Sequence, residues 1–179
     1  MLGRRVLVAA VVTVSALACE SNVAGPDLGP EGPFGIETSA ERYQMLPWQS
    51  RWGGYQVAIR YTFTNRTGGP VSLVGCRDDY NLKLERWSGR EWESAWYNLP
   101  FTCLSYRVIE ANETFSQEWL FFGAPPEFSD EIIPTFDAEA GTYRIRWTQA
   151  YTLFDEDTFE YGDLIPLADR LSNTFRLAF

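Results

Sequence analysis

The chain has 179 residues, with 24 acidic residues against 15 Lys and Arg, a net charge of −9, and no histidine. Acidity of this order is unfavourable for binding nucleic acid or anionic lipid headgroups. Without histidine, neither a Ser-His-Asp nor a Cys-His catalytic arrangement can be assembled.

In chain order, Arg4 and Arg5 precede an uncharged apolar run from Val6 to Ala18, which ends in small residues before Cys19. A basic start, a short apolar run and small residues at a cut site make a secretory signal. The run is too short to span a hydrocarbon core that needs about 20 residues. The ending Ala16-Leu17-Ala18-Cys19 resembles a bacterial lipobox, with Ala16 standing where Leu is commoner. The resemblance implies cleavage before Cys19, diacylation of its thiol, and acylation of the new amino end. Two or three such chains, at about 0.8 kcal/mol per buried methylene, hold a protein on a bilayer. Glu20 follows Cys19 where enterobacterial lipoproteins use Asp for inner-membrane retention, so the resemblance implies a bacterial cell-envelope protein on the outer membrane.

With Cys19 assigned to that signal, Cys76 and Cys103 remain. An exported compartment is oxidising, and one remaining pair allows one connectivity. Their disulfide would close a loop of about 27 residues, worth roughly 3.5 kcal/mol in the chain-entropy model. Zinc is the rival reading, and two thiols without histidine make a poor zinc site.

Residues 19–33 are rich in Gly and Pro, with Gly25, Pro26, Gly29, Pro30, Gly32 and Pro33, and have few apolar groups. Such a segment cannot offset its ordering entropy and reads as a flexible tether. The expected organisation is therefore a signal peptide over 1–18, a tether over 19–33 and a folded domain over 34–179.

From Phe34 onward, aromatic and β-branched residues alternate with polar ones. A first strand is expected over Ile36 to Tyr43. Tyr55, Val57, Ile59, Tyr61 and Phe63 alternate with polar or small residues, the period-two sign of a half-buried strand. Asn65 to Pro70 is a turn, and Val71 to Val74 a short strand. Tyr80, Leu82 and Leu84 open another strand, and Ser88-Gly89 turns it back through Glu91 to Tyr97. Tyr106 to Ile109 is a weaker strand. Thr114 to Phe122 follows, with Phe115, Trp119 and Phe121 on one face. Pro125, Pro126 and Pro134 mark a loop. Tyr143, Ile145 and Trp147 alternate with Arg144, Arg146 and Thr148, and Phe175, Leu177 and Phe179 share a face of the last strand. Asp163 to Leu171 holds at most one short helical turn. About seven to nine short strands with turns between them predict an all-β, immunoglobulin-like antiparallel β-sandwich.

Thr62-Phe-Thr-Asn65, Gly69-Pro-Val-Ser-Leu73, Gly89-Arg-Glu-Trp92 and Gly141-Thr-Tyr-Arg-Ile-Arg146 look like bacterial immunoglobulin-like domains, and the pattern is similar to the intracellular proteinase inhibitor (BsuPI) family. The likeness runs from about Gly53 to Trp147. It implies a sandwich fold and, as one function, protease inhibition. The signal, the Cys76/Cys103 pair and the segment from Gly123 to Glu139 depart from that family.

Candidate chemistry is sparse. Lys83 is the single lysine and sits in a strand-like run, so a Schiff base has one candidate. Asp78-Asp79 and the group Asp155, Glu156, Asp157, Glu160 and Asp163 are the densest carboxylates. The second group reads as a solvated acidic loop, with Ca²⁺ as the rival ligand. It lacks the spaced EF-hand pattern, and no cofactor is expected. Trp119 and Trp147 belong to apolar alternations and are expected in the core. Trp48, Trp52, Trp87, Trp92 and Trp96 lie at strand ends and around the hairpin. There they either cover sandwich edges or offer rings to a sugar or a protein. Trp87, Trp92 and Trp96 are the candidate ligand contacts. The resulting expectation is a non-catalytic, lipid-anchored envelope module that binds or scaffolds another envelope protein. Protease inhibition and carbohydrate binding are the alternatives.

Overall fold

The computed structural model describes residues 35–48, 54–75, 82–97, 105–124, 136–155 and 157–179. The expected signal, tether and Cys76/Cys103 disulfide lie outside the described residues. The strands are β1 (Ile36–Thr38), β2 (Arg42–Gln44), β3 (Leu46–Pro47), β4 (Tyr55–Thr64), β5 (Val71–Gly75), β6 (Leu82–Trp87), β7 (Trp92–Tyr97), β8 (Ser105–Ile109), β9 (Thr114–Ala124), β10 (Phe136–Asp137), β11 (Gly141–Trp147), β12 (Ala150–Tyr151), β13 (Phe154–Asp155), β14 (Glu160–Tyr161) and β15 (Phe175–Ala178). A 3₁₀ turn, Leu167–Arg170, precedes β15.

The chain is an all-β sandwich. The first sheet has the order β1-β4-β9-β10, with β3 also beside β4. The second has the order β2-β15-β11-β6-β7. A smaller sheet has the order β12-β5-β8, and β13 and β14 form a hairpin. Most pairs are antiparallel, while β2 runs parallel to β15 and β10 parallel to β9.

The alternation along β4 puts Val57, Ile59, Tyr61 and Phe63 into the core, where they register opposite Phe121, Trp119, Gln117 and Phe115 of β9. From the facing sheet, β11 contributes Tyr143, Ile145 and Trp147, all fully buried. The Trp147 ring meets Phe63 at 4.6 Å and Tyr61 at 6.1 Å between centroids, which joins the two layers. Each such side chain contributes roughly 1.5–3 kcal/mol on burial. Strand β5 is buried along its whole length.

The single strand expected over Ile36 to Tyr43 is two strands in different sheets. β1 pairs with β4, and β2 pairs with β15. The β4 ladder runs on through the Ser39 N–H, which donates to the Arg60 carbonyl, before the chain crosses to β2. The Thr38 backbone N–H donates to Asn173 Oδ1 at 2.7 Å, and Asn173 Nδ2 donates to Thr38 Oγ1. These bonds tie the end of β1, on its side away from β4, to the segment that leads into β15.

Asn65 ends β4 as a fully buried polar hub. Its Nδ2 donates to the carbonyls of Gly69 and Ile109 at 2.7 and 2.8 Å. Its Oδ1 accepts from the backbone N–H and the hydroxyl of Thr67. These bonds tie β4, the following turn and β8 together. Asn65→Ala strands buried partners and is expected to cost about 2–4 kcal/mol. Urea unfolding measures this directly, and a loss below about 1 kcal/mol would contradict the hub.

Candidate functional site

Two surfaces stand out once the strands are in place. The first is the outer face of the second sheet. Glu85 of β6 faces away from the core yet is only 5 % exposed. Its carboxylate accepts from Arg144 Nε at 2.7 Å and from Arg146 at 3.2 Å. The Arg144 guanidinium lies 4.2 Å from the centre of the Trp92 ring, a cation–π contact. Trp92 in turn packs against Trp87, its register partner, at 5.4 Å.

Cations extend from this cluster across the sheet. Lys83 registers opposite Arg146, and Arg176 of β15 opposite both Thr142 of β11 and Arg42 of β2. Arg42 and Arg176 are exposed. Arg42, Arg176, Arg144, Arg146 and Lys83 therefore share one face with Glu85 as its only carboxylate among the described strand residues. That concentration is opposite in sign to the chain as a whole.

Trp96 does not belong to this surface. Only 6 % exposed, it packs in the core against Phe121 at 5.1 Å and Trp119 at 6.1 Å. Even spacing would put Trp92, Ser94 and Trp96 on one face. The register instead shifts between Leu84 and Glu85: Glu85 faces Ser94 while Leu84 faces Trp96. Ala95 is the extra residue, and one extra residue turns everything after it to the other side. Trp87 and Trp92 remain as half-buried rings on the outer face. Trp48 packs on Phe122 at 4.6 Å, and Trp52 lies outside the described residues. Trp119 and Trp147 are packed inward as expected.

The second surface is the hairpin over 150–165, which sequence reading treats as an acidic loop. Tyr106 of β8, Phe154 of β13 and Tyr161 of β14 form a chain of ring contacts, at 5.0 and 5.1 Å, that continues to Tyr151 at 4.8 Å. Phe159 joins Phe154 at 6.4 Å and is 61 % exposed. Tyr161, Leu153 and Leu164 are also exposed. Phe159 has a φ of 56°, in the left-handed region that costs a non-glycine residue roughly 1–2 kcal/mol. The fold thus holds a large apolar side chain in water on a strained backbone. Burial raises the Tyr151 phenol above the usual tyrosine range; Tyr161 adds to this and Arg170 opposes it.

The carboxylates of this hairpin do not converge. Asp155 Oδ1 accepts the backbone N–H groups of Asp157 and Thr158, an Asx turn that shapes the loop. Among the described residues no three His, Cys, Asp or Glu side chains are grouped to hold a metal ion. Asp78, Asp79 and Glu156 lie outside the described residues. No helix among the described residues is long and apolar enough to cross a membrane. Comparison with protein families, curated proteins and solved structures finds no match for the chain.

Proposed function

We propose that the protein is a non-catalytic, lipid-anchored module of the bacterial envelope that docks a protein partner through the 150–165 hairpin. The observation that carries this reading is Phe159, an exposed aromatic ring on left-handed backbone at the rim of an aromatic cluster. Backbone strain of this kind persists where surrounding structure enforces it, and it gathers at binding sites. Exposed apolar patches with polar rims mark interaction surfaces, and aromatic anchors dominate their energetics. Asp155, Asp157, Glu160 and Asp163 supply an acidic rim, so the partner surface that fits is apolar at its centre and basic around it. The lipobox-like ending at Cys19 supports the anchor.

Crosslinking on native envelope tests the docking. A defined crosslinked species should form with the wild-type chain and be lost in the Phe159→Ser, Tyr161→Ser double variant at unchanged folded-state circular dichroism. A species that persists in the variant overturns the assignment of the hairpin. The anchor is tested separately: Cys19→Ala should abolish palmitate labelling and release the protein from membranes. Continued labelling would show that Cys19 is not the acylated residue.

A further inference from the structure

We infer that the outer face of the second sheet binds a linear, carboxylate-bearing polysaccharide laid across its strands. Charge is the first reason. A chain of net charge −9 places five cations on one sheet face against a single carboxylate among the described strand residues. Arg42 and Arg176 stand side by side on neighbouring strands without an ion-pair partner among the described residues. Like charges directly across a pair of strands weaken the sheet, so folding gains nothing from this placement.

Geometry is the second reason. Neighbouring strands lie about 4.8 Å apart, so a polymer crossing them meets a new strand at each such step. Along the row set by the register it passes Arg42, Arg176 and Thr142 and reaches the Trp87–Trp92 pair, while Arg146 and Lys83 flank this row on the same face, about 13 Å along the strands. The tryptophan end gives a sugar ring an apolar face to lie on. The sheet already holds a carboxylate against two of these guanidiniums, in the contacts of Glu85 with Arg144 and Arg146. Planar guanidinium groups match that anion geometry.

A densely charged duplex fits less well. DNA carries one charge per roughly 1.7 Å, and the negative remainder of this chain repels so dense an anion. A sparsely charged polymer engages the face without that penalty.

The test uses the full chain in detergent, titrated with polygalacturonate at low ionic strength. Saturable binding is expected that weakens as salt rises. Arg42→Gln with Arg176→Gln should lower affinity about tenfold or more at an unchanged melting temperature, as the loss of charged contacts requires. Lys83→Gln, on the same face two strands from Arg176, gives a second readout if the double variant fails to fold. Absence of binding, equal binding of methyl-esterified polygalacturonate, equal binding of duplex DNA, or undiminished binding by the variants each overturns the inference. Because the Phe159 hairpin is untouched by these variants, the outcome is independent of the protein-docking reading.

Discussion

Glu85→Ala should lower the stability of the fold by about 3–5 kcal/mol, the range for removing one member of a buried ion pair. The carboxylate is 7 % exposed and Arg144 is 11 % exposed at the side chain, so water cannot replace the lost partner. Arg144 would be left beneath the sheet surface with the Trp92 ring as its remaining contact. Arg146, at 35 %, relaxes toward solvent and adds less. A second variant separates the cost of a stranded charge from the worth of the pair. Glu85→Leu combined with Arg144→Met removes both charges and should recover most of the loss, since apolar replacement of a buried pair is often neutral. Guanidinium unfolding of the two variants checks both statements. A loss under about 1 kcal/mol for Glu85→Ala would mean that the site is wetter than its burial implies.

The other large effect belongs to Gly35. A Cβ built there would overlap the Asp169 carbonyl oxygen, and would lie 2.6 and 2.8 Å from the carbonyl carbon and Cα of Asp169. All three are backbone atoms, so no rotamer change relieves the overlap. The 3₁₀ turn carrying Asp169 cannot retreat, because Arg170 clamps it through Nε to the Ile165 carbonyl and through a second nitrogen to the Trp147 carbonyl. The Gly35 carbonyl also accepts from Thr64, and the Ile36 N–H donates to the Leu171 carbonyl. Gly35→Ala should therefore cost about 3 kcal/mol or more, beyond the usual range for overpacking. The expected readout is a lower melting temperature together with faster hydrogen exchange at Ile36 and Thr38. Gly69→Ala is the control. Its Cβ meets open space, and it should change stability by no more than about 0.5 kcal/mol.

What sequence reading captures here is local alternation. Strands β4 and β11 bury Tyr61, Phe63, Tyr143, Ile145 and Trp147 as a period of two requires, and Ser88-Gly89 turns the chain as its composition predicts. What it misses depends on partners far away or on a single irregularity. The division of Ile36 to Tyr43 follows from its two pairing partners, β4 and the distant β15. The Ala95 bulge inverts Trp96, and no periodicity marks it in advance. The cationic face is hidden by the net charge, because Arg42, Lys83, Arg144 and Arg176 come from strands that only topology makes neighbours. The acids of the Phe159 hairpin make it read as a solvated loop, while the rings between them do the packing.

The parallel pairing of β2 with β15 also governs the order of folding events. β15 sits between β2 and β11, so residues 175–178 supply an interior strand of the second sheet. Until they arrive, β2 has no ladder to join and β11 keeps an open edge. The chain must first close a loop longer than 130 residues, an entropic cost met before any contact rewards it. Topologies ruled by such distant pairings fold in milliseconds to seconds, against microseconds for local ones. A chain lacking residues 175–178 therefore cannot complete its second sheet. The same delay leaves β2 unpaired and one edge of β11 open, the kind of unpaired strand edge that makes incompletely folded chains prone to association.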